Sequence, residues 1–516
     1  MRHLDLPLAT AQWERRAAWG TGLTAFIVRL AFLQQFSRTA FFLPIPGGND
    51  RSLYTSLAEA AAAGTWLPDG PFAWLPLFPW VLGLLFTIAG PNLYAWGLAG
   101  AAMDAVTAGC IVRVSTRHGC RLRWAATAGL VYTVYPVAVI YAVVPMPNAL
   151  NTLLVLLFAM VAARLHRNPR LTAWAGAGLL AGATALGFAG MLLMSAACVP
   201  LWLVRMKGPA AGRAARLAAF GACLLLAIVP VSLHNLRAGG EWIWLTAHGG
   251  FNFYMGNHEG ATGYPVQIRE FRGTSGSLLA DAKRAAERDT GRRLTPKESS
   301  AYWAAQAVQF MRAHPGQALR LLGYKALRAW NRYEYDDMRF LPLLRVTGKT
   351  WSGCWWPAFG LIGVLGLFGL VRAPPMPAVR VVLLAGLCGL VLFFVTARYR
   401  LTLVPLMLIL GAGGLERIHR DFSRGGHARL WKDIVMAGLA VLLVWLPLPH
   451  TDFRALDHYN AAAHLLARGR AREARAVAER GLEIAPRAAD LHFVLGNALF
   501  GQEHTADAAA AYRAAL

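Results

Sequence analysis

In a chain with 27 acidic residues against 51 Lys and Arg, a carboxylate outside the basic clusters is informative. Asp50 stands first among these, in Gly47-Gly48-Asn49-Asp50, just past the outer end of the first long apolar stretch. The glycines free the backbone to bring the side chain to the membrane surface. A partly desolvated carboxylate there is suited to accept a proton, although an Asp in a Gly-rich turn also reads as a plain turn residue. Asp104 and Arg29 lie inside apolar stretches, where charge is costly; they pair with each other or line a cavity. His248, Asn252, Asn257 and His258 share a polar loop that could meet a phosphate or an acceptor, or be only a loop. Glu334, Asp336 and Asp337 lie close in sequence to Arg328 and Arg332 and read as a surface ion-pair cluster. The six cysteines show neither metal-ligand spacing nor a disulfide framework. Nothing follows the pattern of a phosphate-cradling glycine loop, a zinc site or a Ser-His-Asp order.

The elements that must position these groups are set by hydropathy. The chain is 56% hydrophobic and 15% charged, too apolar for an ordinary globular protein. Nearly charge-free stretches of ~17–25 residues recur, and in lipid such segments must be helical to satisfy their own backbone. The net charge of +24 comes mostly from short basic clusters between these stretches, a topological signature rather than one of nucleic-acid binding. The expected fold is an all-α polytopic membrane protein of about eleven spans, with the N-terminal tail, residues 1–16, in the cytoplasm. The N-terminal membrane module covers 17–234, with a first outer loop over 38–92 and a short interfacial helix at Leu53–Ala63. Its spans after the first, Ala17–Gln35, are Tyr94–Ser115, Trp124–Val144, Ala149–Leu165, Leu171–Leu186, Gly190–Val204 and Ala215–His234. Phe72–Gly90 carries Pro76 and Pro79 and is read as re-entrant, which keeps Arg117, Arg121 and Arg123 inside. An extracytoplasmic domain is expected over 235–354, with a helical stretch from Lys297 to Arg332. Four more spans, Trp355–Val371, Val379–Val395, Leu401–Leu415 and Ile434–Leu448, make the C-terminal module, 355–450, and leave the C-terminus outside.

The tail, 453–516, is Ala-rich and helical. Leu465 and Leu499 are separated by one 34-residue period, as are Ala474 and Ala508. That period, with small residues where paired helices would touch, resembles tetratricopeptide repeats; an unrelated helical hairpin is the alternative. Two units make a short array, expected to pack on the rest of the chain or to continue through a protein partner.

Taken in order, the motifs resemble those of the GT-C superfamily of membrane glycosyltransferases, in the branch of protein O-mannosyltransferases and lipid A aminoarabinose transferases. The first span is followed by an early Asp, a short helix with Tyr54 and Gly64, and the segment GPFAWLPLFPW. Asn235-Leu236-Arg237 precedes GGFNFYMGN. Tyr302-Trp303, His314-Pro315, Lys325 and Trp330-Asn331 are similar to the family's YW…P…K…WN pattern, and Ala397-Arg398-Tyr399-Arg400-Leu401 to its ARYRLP element. The similarity covers most of residues 20–415. It implies inverting transfer of a sugar from a polyprenyl-phosphate-linked donor to a lipid, glycan or protein acceptor on the periplasmic face of a bacterial inner membrane. In that reading Asp50 deprotonates the acceptor, and Arg398 and Arg400 stabilise the leaving phosphate, with Tyr399 beside them. Snorkelling towards headgroups is the structural alternative for the two arginines. Tyr54, Asp104, Asn148, His248, Asn252, Asn257 and Lys325 are candidate substrate contacts.

The chain also departs from the pattern. Pro145-Met146-Pro147-Asn148 stands where many relatives carry a second acid, Gly187-Phe188 replaces an Arg-Pro element, and Thr402 stands where proline is usual. Asn148 holds a metal weakly, so neither a metal nor another cofactor is expected. Two rival classes are an O-antigen ligase or polymerase-like enzyme, which would not need Asp50, and a non-catalytic scaffold recruiting partners through its repeats.

Overall fold

A computed structural model describes residues 8–44, 49–265, 277–348, 358–424, 427–448 and 453–516. Gly47 and Gly48, the domain boundary at Cys354 and the start of the span expected at Trp355 lie outside the described residues. Those residues form helices and no strand. Four helices are long and apolar enough to cross a membrane: Gln12–Phe36, Leu93–Arg117, Asn148–Leu165 and Ala210–Gly239. A fifth crossing is available if Leu122–Thr133 and Pro136–Val143, bent by 57° at their junction, act as one. Shorter apolar helices include Leu77–Ala89, Leu171–Ala185, Gly190–Arg205, Phe359–Arg372 and Pro377–Leu392.

Several elements differ from the sequence expectation for identifiable backbone reasons. The continuous helix expected over Trp124–Val144 breaks because Pro136 has no N–H to donate and holds Tyr135 extended, at φ −69° and ψ 115°. Lys297–Arg332 is two helices, Pro296–Ala313 and Pro315–Trp330, divided at Pro315. Thr295 and Glu298 close a capping box on the first of them. Near Leu401 a short helix, Ala397–Leu401, precedes Val404–Ser423; Thr396 caps it by accepting from the Tyr399 N–H. Within Phe72–Gly90 only Leu77–Ala89 is helical; its 13 residues rise about 20 Å, less than a ~30 Å hydrocarbon core.

One pair of opposite charges is buried between the long helices. Arg29 and Asp104 are almost fully buried and pair at 2.7 Å. Tyr132 donates its hydroxyl to the same carboxylate, and Arg29 also donates to the Thr133 carbonyl at the bend. A bent helix thus supplies free carbonyls to a buried guanidinium, while the ion pair ties it to the first two long helices.

The last four helices, Arg454–Leu466, Ala471–Ile484, Ala489–Phe500 and Thr505–Ala515, stack in chain order, with buried Ala461, Ala474, Ala478 and Ala498 between them. They dock on the rest of the chain. Arg468 donates to the carbonyls of Leu43 and Pro44 at 2.8 and 3.0 Å, Arg339 pairs with Asp457 at 3.2 Å, and His464 packs edge-on against Phe41.

Candidate functional site

Asn49 opens the helix Asp50–Ala62 through a capping box with Ser52, so Asp50 becomes its first residue. From there its side chain reaches Arg398 at 3.0 Å. The same guanidinium meets Asp337 at 2.7 Å. Arg398 therefore bridges two carboxylates supplied by distant parts of the chain. Its side chain is only 8% exposed, while Asp50 is 21% and Asp337 12% exposed, so Asp50 is the group of the three most open to an incoming molecule.

The loop that presents Asp337 is clamped from several sides. Asp336 accepts the Tyr141 hydroxyl at 2.5 Å and the backbone N–H groups of Met338 and Leu341. Arg400 donates to the carbonyls of Arg328, Asn331 and Tyr333, and its guanidinium lies over Phe359. Glu334 accepts the Tyr135 hydroxyl at 2.6 Å, and Ala397 N–H donates to the Tyr335 carbonyl. The broken helix matters here, because Pro136–Val143 carries Tyr141 and follows directly from Tyr135.

Burial pushes the Asp337 carboxyl up to about 6; Arg398 opposes the rise, and the nearby Asp336 and Asp50 add to it. Glu334 is likewise raised by burial, against the pull of Arg400. Beside Arg398, the Asn148 amide donates to the Arg398 carbonyl at 2.8 Å, while its own Oδ1 has no hydrogen-bond partner. The Asp337 Oδ1 is also unpartnered and buried. A buried acceptor without a partner costs about 1–3 kcal/mol, and Asp337 Oδ1, on the carboxylate that meets Arg398, is suited to a molecule that brings a hydroxyl donor.

The other sequence candidates divide into two groups. Tyr54, one turn beyond Asp50, is 9% exposed and packs edge-on against Phe78; burial raises its hydroxyl first, with Asp50 and Arg398 near enough to act on it. Tyr399 lies under the Arg398 guanidinium at 4.9 Å. His248 stands edge-on to Trp74, and burial lowers its imidazole to about 4, against the opposing charge of Asp50; its Nε2 makes no hydrogen bond. These three gather around the Asp50–Arg398 pair. Asp104 is instead committed to Arg29 and Tyr132. Asn257 and Lys325 are committed to each other at 2.7 Å, with the Asn257 amide also held by the carbonyls of Phe253 and Leu392. Asn252 is half-buried in the helix Gly249–Gly256.

One sequence reading is corrected and one alternative is excluded. Glu334, Asp336 and Asp337 are not a surface ion-pair cluster with Arg328 and Arg332; Asp336 is 2% exposed. Arg328 lies over Tyr264 and Arg332 over Trp445. Nor do Arg398 and Arg400 snorkel, being 7% and 1% exposed. Arg400 is occupied with loop carbonyls, which leaves Arg398 as the cation facing the two carboxylates. Asp337 was thus missed in the sequence. Two adjacent acids in so acid-poor a segment were the available signal, and the neighbouring arginines hid it.

Among the described residues no group of three or more His, Cys, Asp or Glu is arranged to hold a metal ion. The described residues define a helical fold with helices long and apolar enough to cross a membrane and a largely buried acid–arginine–acid bridge. Compared with known proteins, the chain matches no family model and no curated sequence.

Proposed function

We propose that the chain is a polytopic membrane glycosyltransferase of GT-C type. It uses a polyprenyl-phosphate-linked sugar and acts on the extracytoplasmic face of a bacterial inner membrane. About eleven spans carry the site, namely the four long helices, the bent pair, the shorter apolar helices other than Leu77–Ala89, and Val404–Ser423 with His427–Val444, and the last four helices serve as a short tetratricopeptide array. The observation that carries the reading is Asp50 and Asp337 sharing Arg398 at 3.0 and 2.7 Å, just past the end of an apolar helix.

The chemistry follows from that geometry. The donor phosphate competes with Asp50 for the Arg398 guanidinium, and its capture leaves the Asp50 carboxylate facing the acceptor. The acceptor oxygen attacks the anomeric carbon as the carbon–oxygen bond to phosphate breaks. The bonding pair leaves with the phosphate, and the acceptor proton passes to Asp50. Arg398 meets the charge that grows on the leaving group. Asn148 Oδ1 and Asp337 Oδ1 offer acceptors to sugar hydroxyls.

The test is release of polyprenyl phosphate by the full chain in vesicles supplied with polyprenyl-phosphate-linked hexoses, pentoses and aminosugars. Donor-dependent release is expected, and Arg398→Ala is expected to raise the donor KM. Absence of release with every donor, or an Arg398→Ala enzyme with unchanged kinetics, counts against the proposal.

A further inference from the structure

The first helix and Leu93–Arg117 pack together through small residues, so closely that side chains added at Gly22 or Gly109 would meet backbone. A Cβ at Gly22 would lie 3.1 Å from the Ala105 carbonyl oxygen, and one at Gly109 2.9 Å from that of Ala18. Two helices in such contact leave a furrow along their seam. Here it is a groove of about 560 Å³, walled by Trp19, Leu23 and Phe26 on one side and Val106 on the other, with Arg15 and Arg113 in its lining at one end. Trp19, Leu23 and Val106 are 80, 60 and 51% exposed. The furrow thus opens outward on the face that an apolar spanning helix turns to lipid.

Its length and its charge both select an occupant. From Arg15 to Phe26 the helix rises about 16 Å, close to half of a ~30 Å hydrocarbon core, the depth of one leaflet. Neither Arg15 nor Arg113 forms an ion pair among the described residues; Glu14, the nearest acid in sequence, acts on Arg117. Asp50 lies past the opposite end of the first helix, so the groove is separate from the candidate site and does not depend on its function.

We infer that this seam is a binding site for one anionic glycerophospholipid, its phosphate held between Arg15 and Arg113 and an acyl chain lying against Leu23, Phe26 and Val106. A cation pair above a one-leaflet apolar furrow matches an anionic headgroup with chains of ordinary length. A polyprenyl chain is longer than one leaflet and fits it poorly.

Native mass spectrometry of the full chain, released from micelles containing phosphatidylglycerol, phosphatidylcholine or undecaprenyl phosphate, tests the site. One phosphatidylglycerol is expected to remain bound in preference to the other two. Arg15→Gln with Arg113→Gln is expected to weaken its retention by roughly thirtyfold, from two surface charges. Arg15→Lys with Arg113→Lys is expected to keep most of the retention. Val106→Trp fills the furrow and leaves both charges, and it too is expected to lose the lipid. Brominated phosphatidylglycerol gives a second readout: the quenched component that disappears in Trp19→Phe reports the lipid beside Trp19, and no difference in quenching between the two proteins would contradict the site. Equal retention of phosphatidylcholine, preference for undecaprenyl phosphate, or a Gln double variant or Val106→Trp that binds as the wild type does would each overturn the inference.

Discussion

Replacing Asp337 with Asn removes one of the two carboxylates on Arg398 and keeps a side chain of nearly the same shape. Arg398 lies 2.7 Å from Asp337 and 3.0 Å from Asp50, so a phosphate arriving at this guanidinium comes close to the Asp337 charge. At a separation of about 6 Å and an effective dielectric of about 20, that repulsion is about 3 kcal/mol, or roughly a hundredfold in affinity. The expected result is donor binding ten- to a hundredfold tighter in Asp337→Asn at pH 7.5. Burial holds the Asp337 carboxyl at about 6. It is ionised at pH 7.5 and becomes neutral as the pH falls through 6. Wild-type affinity is therefore expected to rise on acidification towards that of the variant, which stays flat over the same range. The assay is titration with a short-chain isoprenyl phosphodiester of the sugar, whose single negative charge is constant across these pH values. A variant that binds no better, or that keeps the wild-type pH dependence, refutes the assignment of Asp337 as a competing charge at Arg398.

Three further perturbations bear on the scaffold. Arg29→Met or Asp104→Leu alone leaves a buried charge unpaired at a cost of about 3–5 kcal/mol, while the double variant is expected to recover most of it. Denaturation in mixed micelles measures the cycle, and single variants within 1 kcal/mol of wild type would contradict a matched pair. Burial holds Lys325 at about 7 against an ordinary 10.5, so above pH 7 the native state binds fewer protons than the unfolded chain. Its contribution to stability is expected to rise with pH from 7 to 10.5, by at most about 1.4 kcal/mol per pH unit. Lys325→Met should flatten that slope in thermal melts, and an unchanged slope would place the titrating group elsewhere. Arg468→Ala removes the hydrogen bonds to Leu43 and Pro44 and is expected to raise amide exchange in the helix Arg454–Leu466; exchange identical to wild type would show that this contact does not hold the docked helices.

The sequence displayed what depends on periodicity and on the scarcity of charge. The apolar stretches, the Ala-rich 34-residue period and the Gly-Gly-Asn-Asp turn are all visible because each breaks sharply with its surroundings. Arg29 and Asp104 stand out because ionisable groups in an apolar run require partners. Asp337 was hidden for the opposite reason. In a polar segment with arginines close by, nothing local distinguishes a solvated acid from one buried by a distant helix. The adjacent Asp336 is held by Tyr141, which lies on the helix that follows the bend before Pro136. The proline was in plain view, but the angle at which the helix leaves it is set by packing. Arg400 shows the same limit: sequence pairs it with Arg398, whereas the loop carbonyls of Asn331 and Tyr333 claim it.

The most direct test compares the full-length wild type with Asp50→Asn for both donor binding and sugar transfer in the same vesicles. If Asp50 accepts the acceptor proton, the variant binds donor at least as well as wild type and transfers sugar at least about a hundredfold more slowly. Transfer by Asp50→Asn at the wild-type rate would contradict the account, because no proton acceptor would then be needed at the position the helix end presents.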